Sequence, residues 1–112
     1  MARELIILPR FKRDYRIARK HLEFEPETLE YVFDVLISGA TLPDAFREHR
    51  LDKRSANWIG MTECHLGADL LLIYRLRRDS VTLHRIGTHR ELFSAKAGAR
   101  RTATWPRPAL KK

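Results

Sequence analysis

The stretch Leu70-Leu71-Leu72-Ile73-Tyr74 constrains this chain more than any other. Five successive apolar side chains leave an extended segment no face to give to water, so the run through Leu76 must lie centrally in a sheet. Arg75 follows at once, whereas a membrane span needs roughly 20 apolar residues, and no longer apolar run exists. With 112 residues the chain makes one domain. A hydrophobic fraction of 44% is enough for a packed interior and argues against general disorder.

Other elements assemble around that strand. Leu5-Ile6-Ile7-Leu8, stopped by Pro9, fits a short buried strand. Phe11, Tyr15, Ala18 and Leu22 recur at helical spacing, with Arg13, Arg16, Arg19 and Lys20 on the other faces. Pro26 suits the first position of a second helix, Glu27 and Glu30 favour its positive dipole end, and Leu29, Val32, Phe33, Leu36 and Ile37 form its apolar stripe. Gly39 sits where a helix-terminating glycine belongs. Thr41-Leu42-Pro43 starts a short turn or helical piece through Phe46 that ends near His49, and 50–57 reads as polar loop. Trp58–His65 is a candidate strand weakened by Gly60, Gly67-Ala68 a hairpin turn, and Val81–Gly87 a last strand before Thr88–Phe93. The order is β-α-α-β-β-β, an α+β fold with helices packed on one face of an antiparallel sheet and the other face available for work.

Lys and Arg number 22 against 14 Asp and Glu, a formal net charge of +8. That excess points to a polyanion without naming one, and its placement is uneven. Residues 1–22 carry seven basic and two acidic side chains, whereas 23–52 carry two basic and eight acidic ones. The last 19 residues, 94–112, hold six basic residues and no acid. The expected organisation is a domain over 1–93 and a basic, poorly ordered tail over 94–112. The single cysteine, Cys64, excludes an internal disulfide framework and a multi-thiolate zinc site. The apolar stretch near the N-terminus is too short for a secretory signal. A soluble cytoplasmic protein without membrane association is expected.

His49, His65 and His89 fall at the ends of elements, Asp69 follows the turn after His65, and Arg85 lies four positions before His89. Several imidazoles, a carboxylate and a guanidinium are the parts for phosphodiester transfer in RNA. One group deprotonates a 2′-hydroxyl, another protonates the departing 5′-oxygen, and a cation stabilises the crowded phosphorane. Imidazole suits both proton roles, since it titrates near neutrality. A rival metal site from Cys64, His65 and Asp69 does not match common zinc spacing. His21 and His84 read as surface or packed residues.

Four blocks in order resemble the YafQ-like branch of the RelE/ParE toxin superfamily. They are Arg13-Asp14-Tyr15; Leu42-Pro43 with Glu48-His49-Arg50-Leu51; Glu63-Cys64-His65-Leu66 with Asp69–Tyr74; and Arg85-Ile86-Gly87-Thr88-His89 with Glu91-Leu92-Phe93. The resemblance covers about residues 8–93. It implies a RelE-like compact fold and a toxin of a bacterial type II toxin–antitoxin pair that cleaves messenger RNA at the ribosome, with no metal or other cofactor. It assigns proton transfer to His49, His65, Asp69 and His89, phosphate stabilisation to Arg85, and a place near the bound nucleotide to Phe93. Either proton role can fall to any of the three histidines. Where many relatives have Arg before Glu-Cys-His, this chain has Thr62, and Lys53 and Arg54 are the candidates to supply that cation to substrate. The expected partners are a cognate antitoxin, acidic and partly disordered alone, with messenger RNA and the ribosome. The alternative within the superfamily is a ParE-like toxin that poisons DNA gyrase and makes no use of these histidines.

Overall fold

The computed structural model of the protein describes residues 2–52 and 58–93. Lys53, Arg54 and the basic segment 94–112 lie outside the described residues. The chain runs through β1 (Glu4–Ile7), α1 (Pro9–Ala18), α2 (Pro26–Ser38), a 3₁₀ turn at Asp44–Phe46, and β2 (His49–Arg50). It continues through β3 (Thr62–His65), β4 (Leu71–Leu76), β5 (Ser80–Gly87) and α3 (His89–Phe93).

The strands form one sheet in the order β1-β5-β4-β3-β2, which puts β4 in the middle. Both cores need it there. Leu72 and Tyr74 join Phe11, Val32 and Leu36 from the two long helices, while Leu71 and Ile73 pack with Leu51 and Leu92 on the other side. Alternate residues of one strand thus serve two interiors, which is why the run has no polar face.

Two expectations about the layers need correction. The sheet is mixed, because β1 pairs with β5 in parallel while β2, β3, β4 and β5 pair antiparallel in turn. Parallel neighbours require a long crossover, and the path through both helices and the meander provides one. The helices also do not share one face. Leu92 of α3, with Trp58, Met61 and Phe93, covers the face opposite α1 and α2. Left bare, that face would expose Leu71 and Ile73 at the sheet centre.

Local signals set the helices. α1 begins at Pro9, whose fixed φ and missing N–H suit the first helical position. It ends at Ala18, earlier than its apolar spacing predicts. The N–H groups of Lys20 and His21 fold back onto the carbonyls of Ile17 and Ala18, and Leu22 stands fully exposed. α2 buries Leu29, Val32 and Leu36 and terminates at Gly39, whose φ of 84° is open to glycine at no steric cost.

Candidate active site

β3 alternates, so Glu63 and His65 share a face while Cys64 points to the opposite one. The register carries that face across the sheet. His49 opposes Glu63, Glu63 opposes Ile73, and Ile73 opposes Arg85; one step along, His65 opposes Leu71, which opposes Gly87. His49 and His65 therefore sit on the side of the smaller core, at its open margin. Their ring centroids are 6.3 Å apart. His89 joins them from α3, its ring centroid 5.9 Å from that of His65.

A capping box starts α3 in the right place. Thr88 Oγ1 accepts the Glu91 N–H at 3.2 Å, and Glu91 Oε1 accepts the Thr88 N–H at 2.9 Å. Gly87 makes room, because a Cβ there would lie 2.7 Å from Glu91 Oε1. The first residue of the helix is His89.

Each imidazole has a defined oxygen partner. Asp69 Oδ1 accepts the His89 backbone N–H at 3.0 Å and lies 2.8 Å from His89 Nδ1. These two contacts, the backbone one foremost, hold the Asp69 carboxyl below the ordinary carboxylate range. An ionised carboxylate only accepts, so His89 Nδ1 carries the hydrogen and Nε2 is left for proton transfer. The backbone carbonyl of Arg47 accepts from His49 Nδ1 at 2.8 Å. Glu63 Oε1 lies 3.3 Å from His49 Nε2 and 3.5 Å from His65 Nε2. Burial lowers the His65 pKa, the Glu63 carboxylate opposes that shift, and Arg47, His89 and His49 reinforce it.

His49, His65, Asp69 and His89 are thus brought together, and Phe93 flanks them with its ring 6.2 Å from that of His89. Arg85 lies on the same face, opposite Ile73, and pairs with Asp14 of α1. Its Nε and Nη2 donate to the two Asp14 oxygens at 2.5 and 3.2 Å, and its guanidinium carbon lies 5.8 Å from the centroid of the Trp58 ring. Only 8% of Arg85 is exposed. Asp14 also accepts the Ile86 N–H at 3.2 Å, filling the edge of β5 beyond the end of β1.

Two residues that the sequence shows without a role matter here. Glu63, 4% exposed, is the shared partner of two histidines. The i, i+2 spacing of Glu63 and His65 on a strand is the signal that finds it. Asp14, the partner of Arg85, has no such signal, because 71 residues separate the pair. The rival metal site fails on geometry. Cys64 is buried on the far face and its thiol is pushed up to about 12 by that burial. Among the described residues no three His, Cys, Asp or Glu side chains converge to hold a metal ion.

Comparison with known proteins identifies the family. Residues 3–94 match the family described as the bacterial toxin of type II toxin–antitoxin system, YafQ. The mRNA interferase toxin YafQ of Escherichia coli B / BL21-DE3 is 31% identical over 84 residues, 74% of this chain and 87% of that protein. The K12 protein of the same name is 30% identical over the same lengths. The fold matches the E. coli DinJ–YafQ complex with a TM-score of 0.71 at 29% identity, covering 82% of this chain and 99% of that one. A metal-bound toxin from Helicobacter pylori matches with a TM-score of 0.71 at 29% identity, covering 83% of this chain and all of the other. The fold is that of a RelE-like toxin. The chain belongs to the YafQ family of type II toxins, and the gyrase-poisoning alternative is not favoured.

Proposed function

We propose that this protein is a cytoplasmic endoribonuclease that cleaves messenger RNA at the ribosome and is silenced by a cognate antitoxin. The observation that carries the reading is the row of three imidazoles, His49, His65 and His89, each beside a carboxylate from Glu63 or Asp69. His65, kept neutral by burial, takes the proton from the 2′-hydroxyl. The 2′-oxygen bonds to phosphorus, the bond from phosphorus to the 5′-oxygen breaks, and His89 Nε2 delivers a proton to that leaving oxygen. The products are a 2′,3′-cyclic phosphate and a 5′-hydroxyl, so no redox partner enters. Asp69 steadies the charge that His89 gives and regains. Arg85, oriented by Asp14 and Trp58, supplies fixed positive charge toward the phosphorane, and Phe93 offers a ring for a base to stack on. Lys53 and Arg54 keep the role of phosphate contacts on charge alone.

The antitoxin reading rests on a second surface. A groove of about 790 Å³ between α1 and α2 is lined by Phe11, Tyr15 and Phe33, with Lys12, Arg16 and Arg19 from α1 and Glu27 and Glu30 from α2. Its basic α1 side and apolar lining fit an acidic, amphipathic segment of the partner.

Expressing wild type, His65→Ala and His89→Ala and mapping RNA ends tests the assignment. Both variants are expected to lose cleavage and growth arrest while keeping the fold and antitoxin binding. Full toxicity in either would sink it, and DNA damage with translation intact would point to gyrase instead.

A further inference from the structure

We propose that Glu23, in the connection between α1 and α2, is a positioning residue for Asp69 and through it for His89; this rests on the reading of Asp69 and His89 as a proton-transfer pair. The side chain of Asp69 is 54% exposed, so packing does not hold it. Its backbone does. The turn from β3 to β4 presents four amides in succession. Those of Leu66 and Gly67 donate to the Leu70 carbonyl at 2.7 and 3.3 Å. Those of Ala68 and Asp69 donate to Glu23 Oε2 and Oε1, each at 2.9 Å. One carboxylate thus takes both amides that the hairpin leaves over, across 45 residues of sequence.

Three further features point the same way. Gly67 is shaped to this contact, since a Cβ there would lie 2.9 Å from Glu23 Cδ and 3.0 Å from Oε1. The Glu23 N–H donates to His21 Nδ1 at 3.1 Å, which ties down the loop that carries the carboxylate. Beyond the turn, Asp69 Oδ1 receives both His89 contacts on one oxygen, so a rotation of the Asp69 backbone breaks both together. Charge-assisted bonds from backbone amides are short and directional. Glu23 therefore does for the exposed Asp69 what packing does for a buried residue, and it links the α1–α2 connection to the start of α3.

Glu23→Gln tests this with little change of shape. A glutamine keeps one acceptor oxygen but turns an NH₂ group toward the second amide. Cleavage of ribosome-bound messenger RNA is expected to fall in kcat by roughly tenfold to a hundredfold at unchanged KM, as for other small displacements of a catalytic group. In parallel, ¹⁵N NMR of the His89 ring should show the Nδ1–H form giving way to a mixture of tautomers, with circular dichroism unchanged. A purely structural Glu23 would lower the melting temperature and leave the tautomer alone. Gly67→Ala, which displaces the Glu23 side chain without altering its charge, should reproduce both effects. Wild-type kcat together with a wild-type His89 ring spectrum in Glu23→Gln would overturn the proposal. Asp69→Asn separates the two readings. If it cleaves normally, the assignment of Asp69 fails, while the His89 spectrum of Glu23→Gln still decides whether Glu23 positions Asp69.

Discussion

His65 is where burial and charge oppose each other most visibly. Desolvation disfavours its imidazolium, and of the groups acting on it only Glu63 favours it. An NMR titration should therefore place its midpoint below the ordinary 6.5, and Glu63→Gln should move it lower still. The stability consequence has a definite sign. Between the folded midpoint and 6.5 the unfolded chain binds more protons, so stability rises with pH across that window and is lost as pH falls through it. His84, whose pKa burial and Arg75 also lower, adds in the same direction. Urea unfolding at several pH values checks this, and His65→Gln should flatten the slope in part. Cys64 shows the opposite use of burial. Its raised pKa leaves it a thiol at neutral pH, a filler behind the two site residues that flank it in β3.

Among the elements, β5 depends most on a partner from elsewhere in the chain. β1 pairs with it only as far as Leu83, and beyond that point Asp14 of α1 takes over by accepting from Ile86 and Arg85. Asp14→Ala leaves a buried guanidinium unpaired and a backbone amide without its acceptor. The expected cost is about 3–5 kcal/mol, read by urea denaturation. A milder loss is expected for Asp14→Asn, which still accepts from the amide. Elements whose cause is local were legible in the sequence. α2 has its proline, its stripe and its glycine in the expected places, and β4 announces itself by composition. Elements whose cause is distant were not. β2 has only two residues and exists because β3 lies beside it, and α1 stops at Ala18 although the apolar spacing continues to Leu22.

Across the whole molecule the charge divides by region. The groove between the long helices has a basic α1 side, the acidic stretch 23–52 supplies Glu23 and Glu48 to internal contacts, and six basic residues follow position 93. On the proposed ribosomal function, those six would add sequence-independent attraction to ribosomal RNA. Replacing Lys96, Arg100, Arg101, Arg107, Lys111 and Lys112 by Gln should weaken ribosome association and flatten its dependence on salt. Cleavage at saturating ribosome should survive, because none of the proposed proton-transfer residues is among them. Unchanged salt dependence would remove the segment from the binding account.

By itself the sequence determined the central strand, the second helix and the α+β class, because short-range periodicity and residue chemistry encode them. Only the tertiary structure decided which oxygen each histidine meets. Glu63 stands between His49 and His65, Asp14 holds Arg85, and α3 covers the second face of the sheet. Those choices depend on strand order and register, which bring together residues far apart in the chain, and no local pattern records such meetings.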